Sequence, residues 1–157
     1  SSFFGTYGFF ADDKIPSAQK EATEKTLALL HLDIMQKRGI ETLSTGELRK
    51  VMIARAIVTG PRLLLLDEPT LGLDVAAQAD FMNYLSRVAR QTTILMVTHH
   101  LEDILPQTKK VLLVKQGKIF CFGPTEDILT SANMTDLFDV PVMVQRAING
   151  GFSMQKT

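Results

Sequence analysis

Two wholly apolar four-residue runs, at 63–66 and 94–97, bracket a segment in which Ala77, Phe81, Leu85 and Val88 recur on one helical face. Apolar runs that short fit strands buried on both faces, and a strand, helix, strand succession makes a right-handed crossover with the strands parallel. The fold class that follows is α/β, with parallel strands covered by helices. Helices are expected at 17–32, opening after Pro16, at 48–58, closed by Gly60 and Pro61, and from 75 to about 91. Further on, 110–114 and 118–122 read as an antiparallel pair joined at Gln116-Gly117. A short helix should begin near Pro124, and after Pro141 the alternation of Val142 and Val144 leads to Asn149-Gly150, a hairpin turn before Phe152 and Met154.

Composition narrows the function classes. Lys plus Arg number 17 and Asp plus Glu 17, which removes the usual electrostatic case for anionic lipid or nucleic acid, and no nucleic-acid partner is expected. No apolar run exceeds four residues, far short of the ~18 that a membrane-spanning helix needs. Any link to a membrane should therefore go through a partner protein. Cys121 has no second cysteine to bridge to, which fits a reducing cytosol. The opening lacks the basic region and apolar core of a signal peptide. It also lacks a Met, which permits trimming or excision from something longer.

Ligands of open parallel sheets gather at the carboxyl ends of the strands, and two such ends deliver Asp67-Glu68 and Thr98-His99. Both should meet at one site. Of paired carboxylates at a strand end, one can hold a divalent cation through its water shell while the other orients an attacking water. The bland alternative is a solvated strand end. His99 alone would more often be an ordinary polar residue, and beside His100 it lacks the spacing of a zinc pair. The stretch Leu43-Ser44-Thr45-Gly46-Glu47 precedes a helix, where a Ser hydroxyl, a Gly and free backbone N–H groups make a natural anion site. Ser44 with Glu47 three residues later is equally a capping box, and Asp74 a helix N-cap, neither of which needs a ligand.

In order and spacing, Leu43-Ser44-Thr45-Gly46-Glu47, Leu63-Leu64-Leu65-Leu66-Asp67-Glu68, Leu71-Gly72-Leu73-Asp74 and Val97-Thr98-His99 resemble the ATP-binding cassette ATPases. In that family these segments are the signature motif, the Walker B strand with its catalytic glutamate, the D-loop and the switch histidine. The resemblance runs over 27–129 and includes the hairpin at Gly117 followed by Gly123-Pro124. It implies that Asp67 holds the water shell of Mg²⁺, Glu68 is general base for the hydrolytic water and His99 contacts the γ-phosphate of ATP. It implies further that Ser44, Thr45, Gly46 and Glu47 face a nucleotide held by a second ATPase subunit, and that Asp74 helps join the dimer. Thr45 departs from the usual first Gly of the signature and Glu47 from the usual Gln, so a carboxylate comes near a phosphate unless it turns back to cap Ser44. The opening Ser2-Phe3-Phe4-Gly5-Thr6-Tyr7-Gly8-Phe9-Phe10 is similar to the molybdate-type and iron-type uptake subgroup.

A phosphate-cradling loop requires Gly-x-x-x-x-Gly-Lys-Ser/Thr, and the only Gly-Lys pair, Gly117-Lys118, has Ile119 next and Leu112 where the first Gly belongs. The resemblance therefore implies the C-terminal part of a nucleotide-binding domain whose P-loop portion lies upstream. Residues 1–60 would be part of the helical subdomain ending with the signature helix, 61–131 the latter part of the ATPase core, and 132–157 an extension. A cytoplasmic ATPase peripheral to the membrane is expected, working with a membrane permease. Alternatives are a soluble cassette ATPase without a transport role, and a non-enzymatic half-domain that complements another chain.

Overall fold

A computed structural model describes residues 17–148 and 150–157, so the aromatic opening at 3–10 and Asn149 of the expected C-terminal turn lie outside the described residues. The chain forms two compact units, one through Val97 and one from Thr98.

The first unit contains α1 (Ser17–Leu29), α2 (Thr45–Ile57), β1 (Leu63–Asp67), α3 (Val75–Val88) and β2 (Thr93–Val97), with 3₁₀ turns at Asp33–Met35 and Ile40–Thr42. α1 stops short of the expected residue 32 because His31 turns left-handed at φ 57°. Its N–H reaches Ala28 O at 3.1 Å while Leu32 N–H reaches Leu27 O at 2.8 Å, the paired bonds of a Schellman end. α2 begins three residues before the expected Leu48, since Ser44 caps it. α3 ends at Val88 rather than near 91, its last turn tightening through Arg90 N–H to Arg87 O. Phe81, Tyr84, Leu85 and Val88 of α3 are fully buried, as are Leu30 and Leu32, and Ile53, Ala54 and Ile57 supply the buried face of α2. Each large side chain so buried contributes roughly 1.5–3 kcal/mol. The Tyr84 hydroxyl donates to Lys50 O at 2.8 Å and Lys50 pairs with Asp80, fastening α2 to α3. Burial raises the Tyr84 phenol above its ordinary range, so it remains a donor.

β1 and β2 pair in parallel, from Leu63 opposite Thr93 to Asp67 opposite Val97, as the sequence predicts. Burial on both faces does not hold. Leu64, Leu66, Ile94 and Met96 are partly buried, but Leu65 remains 66% exposed and Leu95 57%. An apolar run reports that both faces of a strand want cover, not which residues provide it. None of the described residues covers the face of Leu65 and Leu95.

The second unit holds a 3₁₀ turn at Leu101–Asp103, β3 (Lys110–Lys115), β4 (Lys118–Pro124), α4 (Thr125–Ile128), α5 (Ser131–Phe138), β5 (Val142–Arg146) and β6 (Phe152–Lys156). Positive φ at both Gln116 and Gly117 closes the β3–β4 hairpin in the manner of a type I′ turn, so Gly117-Lys118 belongs to a hairpin. β5 and β6 pair antiparallel as expected, and Gly150 has φ 82°. α4 is the short helix after Pro124, whereas α5 is an element that the periodicity did not disclose. Leu101, Leu113, Ile128, Leu129, Met134, Val142 and Phe152 make the core of this unit.

Candidate functional site

The carboxyl end of β1 delivers Asp67 as its last residue, exposed to solvent. Glu68 follows with φ 43°, a left-handed backbone that a residue with a Cβ adopts only at a cost of roughly 1–2 kcal/mol. Its N–H donates to Val97 O at 2.9 Å, tying the turn to the end of β2, and its carbonyl accepts from Leu71 N–H at 3.2 Å. The Glu68 side chain is half-buried, with Oε2 shielded from water. Pro69 and Thr70 of the turn are buried, and Gly72, at φ 77°, lets the chain reverse toward α3. Asp74 caps α3, its Oδ1 accepting from Ala77 N–H at 2.8 Å.

At the start of α2 both bonds of a capping box are present. Ser44 Oγ accepts from Glu47 N–H at 3.3 Å, and Glu47 Oε2 accepts from Ser44 N–H at 2.8 Å. The carboxylate does turn back onto the cap. Arg38 adds a second hold, its Nη1 lying 2.6 Å from Glu47 Oε1 while Nη2 donates to Thr42 O. The Ser44 N–H bond first, and then Arg38, keep the Glu47 carboxyl below its ordinary value of 4.5. Sequence reading missed Arg38, because nothing in its spacing marks a partner for Glu47. Two first-turn donors, Thr45 N–H and Gly46 N–H, have no intrahelical carbonyl to reach. A Cβ placed on Gly46 would meet Ala77 Cβ and Leu73 Cδ2 at 3.8 Å, ordinary contact, so packing within the chain does not require a glycine there.

Arg49 was also missed. From α2 it reaches the turn after β1, where Nη1 donates to Pro69 O at 2.7 Å and Nη2 to Leu71 O. Ser44, Thr45, Gly46, Glu47, Asp67, Glu68 and Asp74 thus share the first unit, and Gly46 sits beside Leu73, next to Asp74. His99 belongs to the second unit, exposed, its ring 3.9 Å from that of His100. There Thr98 Oγ1 donates to the buried Asp103 at 2.8 Å and accepts from His100 N–H at 3.1 Å, which shapes the backbone on both sides of His99.

Chemically, the first unit offers an exposed carboxylate at a strand end, a second carboxylate on a strained turn, and a capped helix start with donors to spare. The sequence matches the model of the ABC transporter family over residues 4–71. It is 40% identical over 146 residues to the ABC transporter ATP-binding protein YlmA of Bacillus subtilis, covering 89% of this chain and 54% of that one. The chain belongs to the ATP-binding cassette family. The molybdenum import ATP-binding protein ModC of Salmonella typhi is 39% identical over 113 residues, which are 71% of this chain and 32% of ModC. Among solved structures, a putative metal-chelate type ABC transporter in an inward-facing conformation superposes with a TM-score of 0.75 and 33% identity, over 96% of this chain and 60% of that one. The chain spans about half the length of YlmA and a third of ModC. Its α/β fold with parallel strands is that of cassette ATPase domains. Among the described residues no helix is long and apolar enough to cross a membrane.

Proposed function

We propose that this chain is the C-terminal part of the ATP-hydrolysing subunit of an ABC transporter. The observation that carries the proposal is Glu68, held in a left-handed turn at the carboxyl end of a parallel strand directly after Asp67. Strain of that kind persists where surrounding structure over-determines it, and it concentrates at functional sites. In this reading a water oxygen bonds to the γ-phosphorus, the bond to ADP breaks, and Glu68 takes the proton of the water. His99 contacts the γ-phosphate. Mg²⁺, when bound, neutralises charge on the β- and γ-phosphates, and Asp67, exposed at the strand end, suits a cation that keeps most of its water shell.

The signature residues Ser44, Thr45, Gly46 and Glu47 serve the nucleotide of a second subunit. Gly46 supports this assignment, because a helix position that tolerates a Cβ in packing but has none leaves room for a ligand to approach. Asp74 lies at the dimer contact. The grip on the α- and β-phosphates comes from a P-loop portion upstream, which also covers the exposed face of Leu65 and Leu95. By this account residues 1–60 are part of the helical subdomain, 61–131 the latter ATPase core and 132–157 an extension. The parent is cytoplasmic and joins the membrane through a permease. Replacing Glu68 by Gln in the full-length ATPase should lower turnover about 10²- to 10⁴-fold and leave nucleotide binding intact. Turnover at the parental rate would reduce Glu68 to a strand-end carboxylate.

A further inference from the structure

The turn after β1 satisfies its backbone in two alternating sets. Its own N–H groups take the carbonyls of Glu68, from Leu71 at 3.2 Å, and of Thr70, from Leu73 at 3.0 Å. The intervening carbonyls of Pro69 and Leu71 are taken by the two ends of one guanidinium, that of Arg49 on the signature helix α2. A planar fork with fixed donor directions spans two carbonyls in one set geometry, and a lysine ammonium, a point charge on a flexible stem, constrains them less. Arg49 makes no ion pair among the described residues, so its charged head is committed to the backbone of this turn. The residue immediately ahead of the clamped stretch is Glu68, whose φ of 43° lies where a side-chain-bearing residue relaxes away unless it is held.

We propose that Arg49 is a positioning residue for hydrolysis: by clamping Pro69 and Leu71 it keeps Glu68 in the left-handed conformation that aims its carboxylate. The inference rests on the reading of Glu68 as general base. It adds that the helix offering Ser44 and Gly46 to one nucleotide is bolted to the turn carrying the base for another. Loss of the clamp displaces the base without touching substrate, and small misplacements of a reacting group cost up to about 10²-fold in rate. The signature of this role is a fall in kcat with KM for ATP nearly unchanged.

The test uses the full-length ATPase with Arg49→Lys, Arg49→Gln and Glu68→Gln in parallel, turnover being normalised to nucleotide-binding sites. The expected result is about a 10-fold or greater loss of kcat in Arg49→Gln, a smaller loss in Arg49→Lys, and KM within about twofold. Amide exchange at Leu71 and Leu73 should quicken in both Arg49 variants while α2 and α3 remain protected. Parental kcat in both, with Glu68→Gln inactive, overturns the clamp and leaves the general base standing. Loss of nucleotide binding or collapse of the melting temperature in Arg49→Lys also overturns it, making Arg49 a residue that holds the fold. Full turnover in Glu68→Gln removes the reading on which the inference rests, and the inference with it.

Discussion

Glu47 places a negative charge at a helix start that would otherwise attract anions, and its two partners determine what that charge does. Ser44 N–H and Arg38 both bind the carboxylate, so it faces the chain's own donors rather than an incoming phosphate. Because they depress its pKa below 4.5, the stabilisation they confer is present above that value and is lost as pH falls through the lower, folded-state value. Glu47→Gln keeps the capping bond but gives up the Arg38 ion pair. The variant should therefore melt slightly below the parent at pH 7, and the gap should close in acid. Melting curves from pH 7 to about 3, with Arg38→Gln as the second corner of a cycle, check this; a gap that widens in acid would contradict it. Removing the charge should also leave ATP-dependent dimerisation at least as tight in a Glu68→Gln background, measured by sedimentation. Of this corner the sequence disclosed Ser44 and Glu47, because a capping box is a local pattern with fixed spacing. Arg38 and Arg49 were not legible, since their partners are set by turns and by packing of α2 on the loop after β1 rather than by spacing along the chain.

Asp74 shows how an element's stability and a residue's functional role can be separated. Its Oδ1 caps α3 through Ala77 N–H, and Asn caps a helix about as well as Asp whereas Ala costs about 1 kcal/mol. Asp74→Asn should thus leave the denaturation midpoint unchanged and Asp74→Ala should lower it. If Asp74 also serves the dimer contact, ATP-dependent dimerisation should weaken in Asp74→Asn at unaltered stability; equal dimerisation in that variant leaves only the cap. Elements with strong local signals were legible: the apolar tetrads of β1 and β2, the Gln116-Gly117 hairpin, and the helix closed by Gly60-Pro61. α5 was not, because eight residues make barely two turns and too few apolar positions for a period to register. Its one local cue was Thr130, whose Oγ1 accepts from Asn133 N–H at 3.2 Å. The early end of α1 escaped because a histidine, not a glycine, takes the left-handed position.

At the scale of the molecule, an ATPase needs both a hydrolytic apparatus and a grip on the nucleotide's inner phosphates, and under the proposed function the chain's residues supply the first. Asp67, Glu68 and the signature start lie on the first unit, while the single Gly-Lys pair is spent on a hairpin. The exposed face of Leu65 and Leu95 marks where the proposed upstream portion would pack, a place hidden from the sequence because an apolar strand does not reveal its missing cover. Under the proposed function these residues catalyse and signal but do not hold ATP on their own. Calorimetric titration of Mg-ATP into the 157-residue chain, as a monodisperse sample and beside the full-length ATPase, tests this most directly. Saturable binding by the full-length protein and weak or no binding by the chain alone are expected; affinity in the micromolar range or tighter for the chain alone would overturn the proposal.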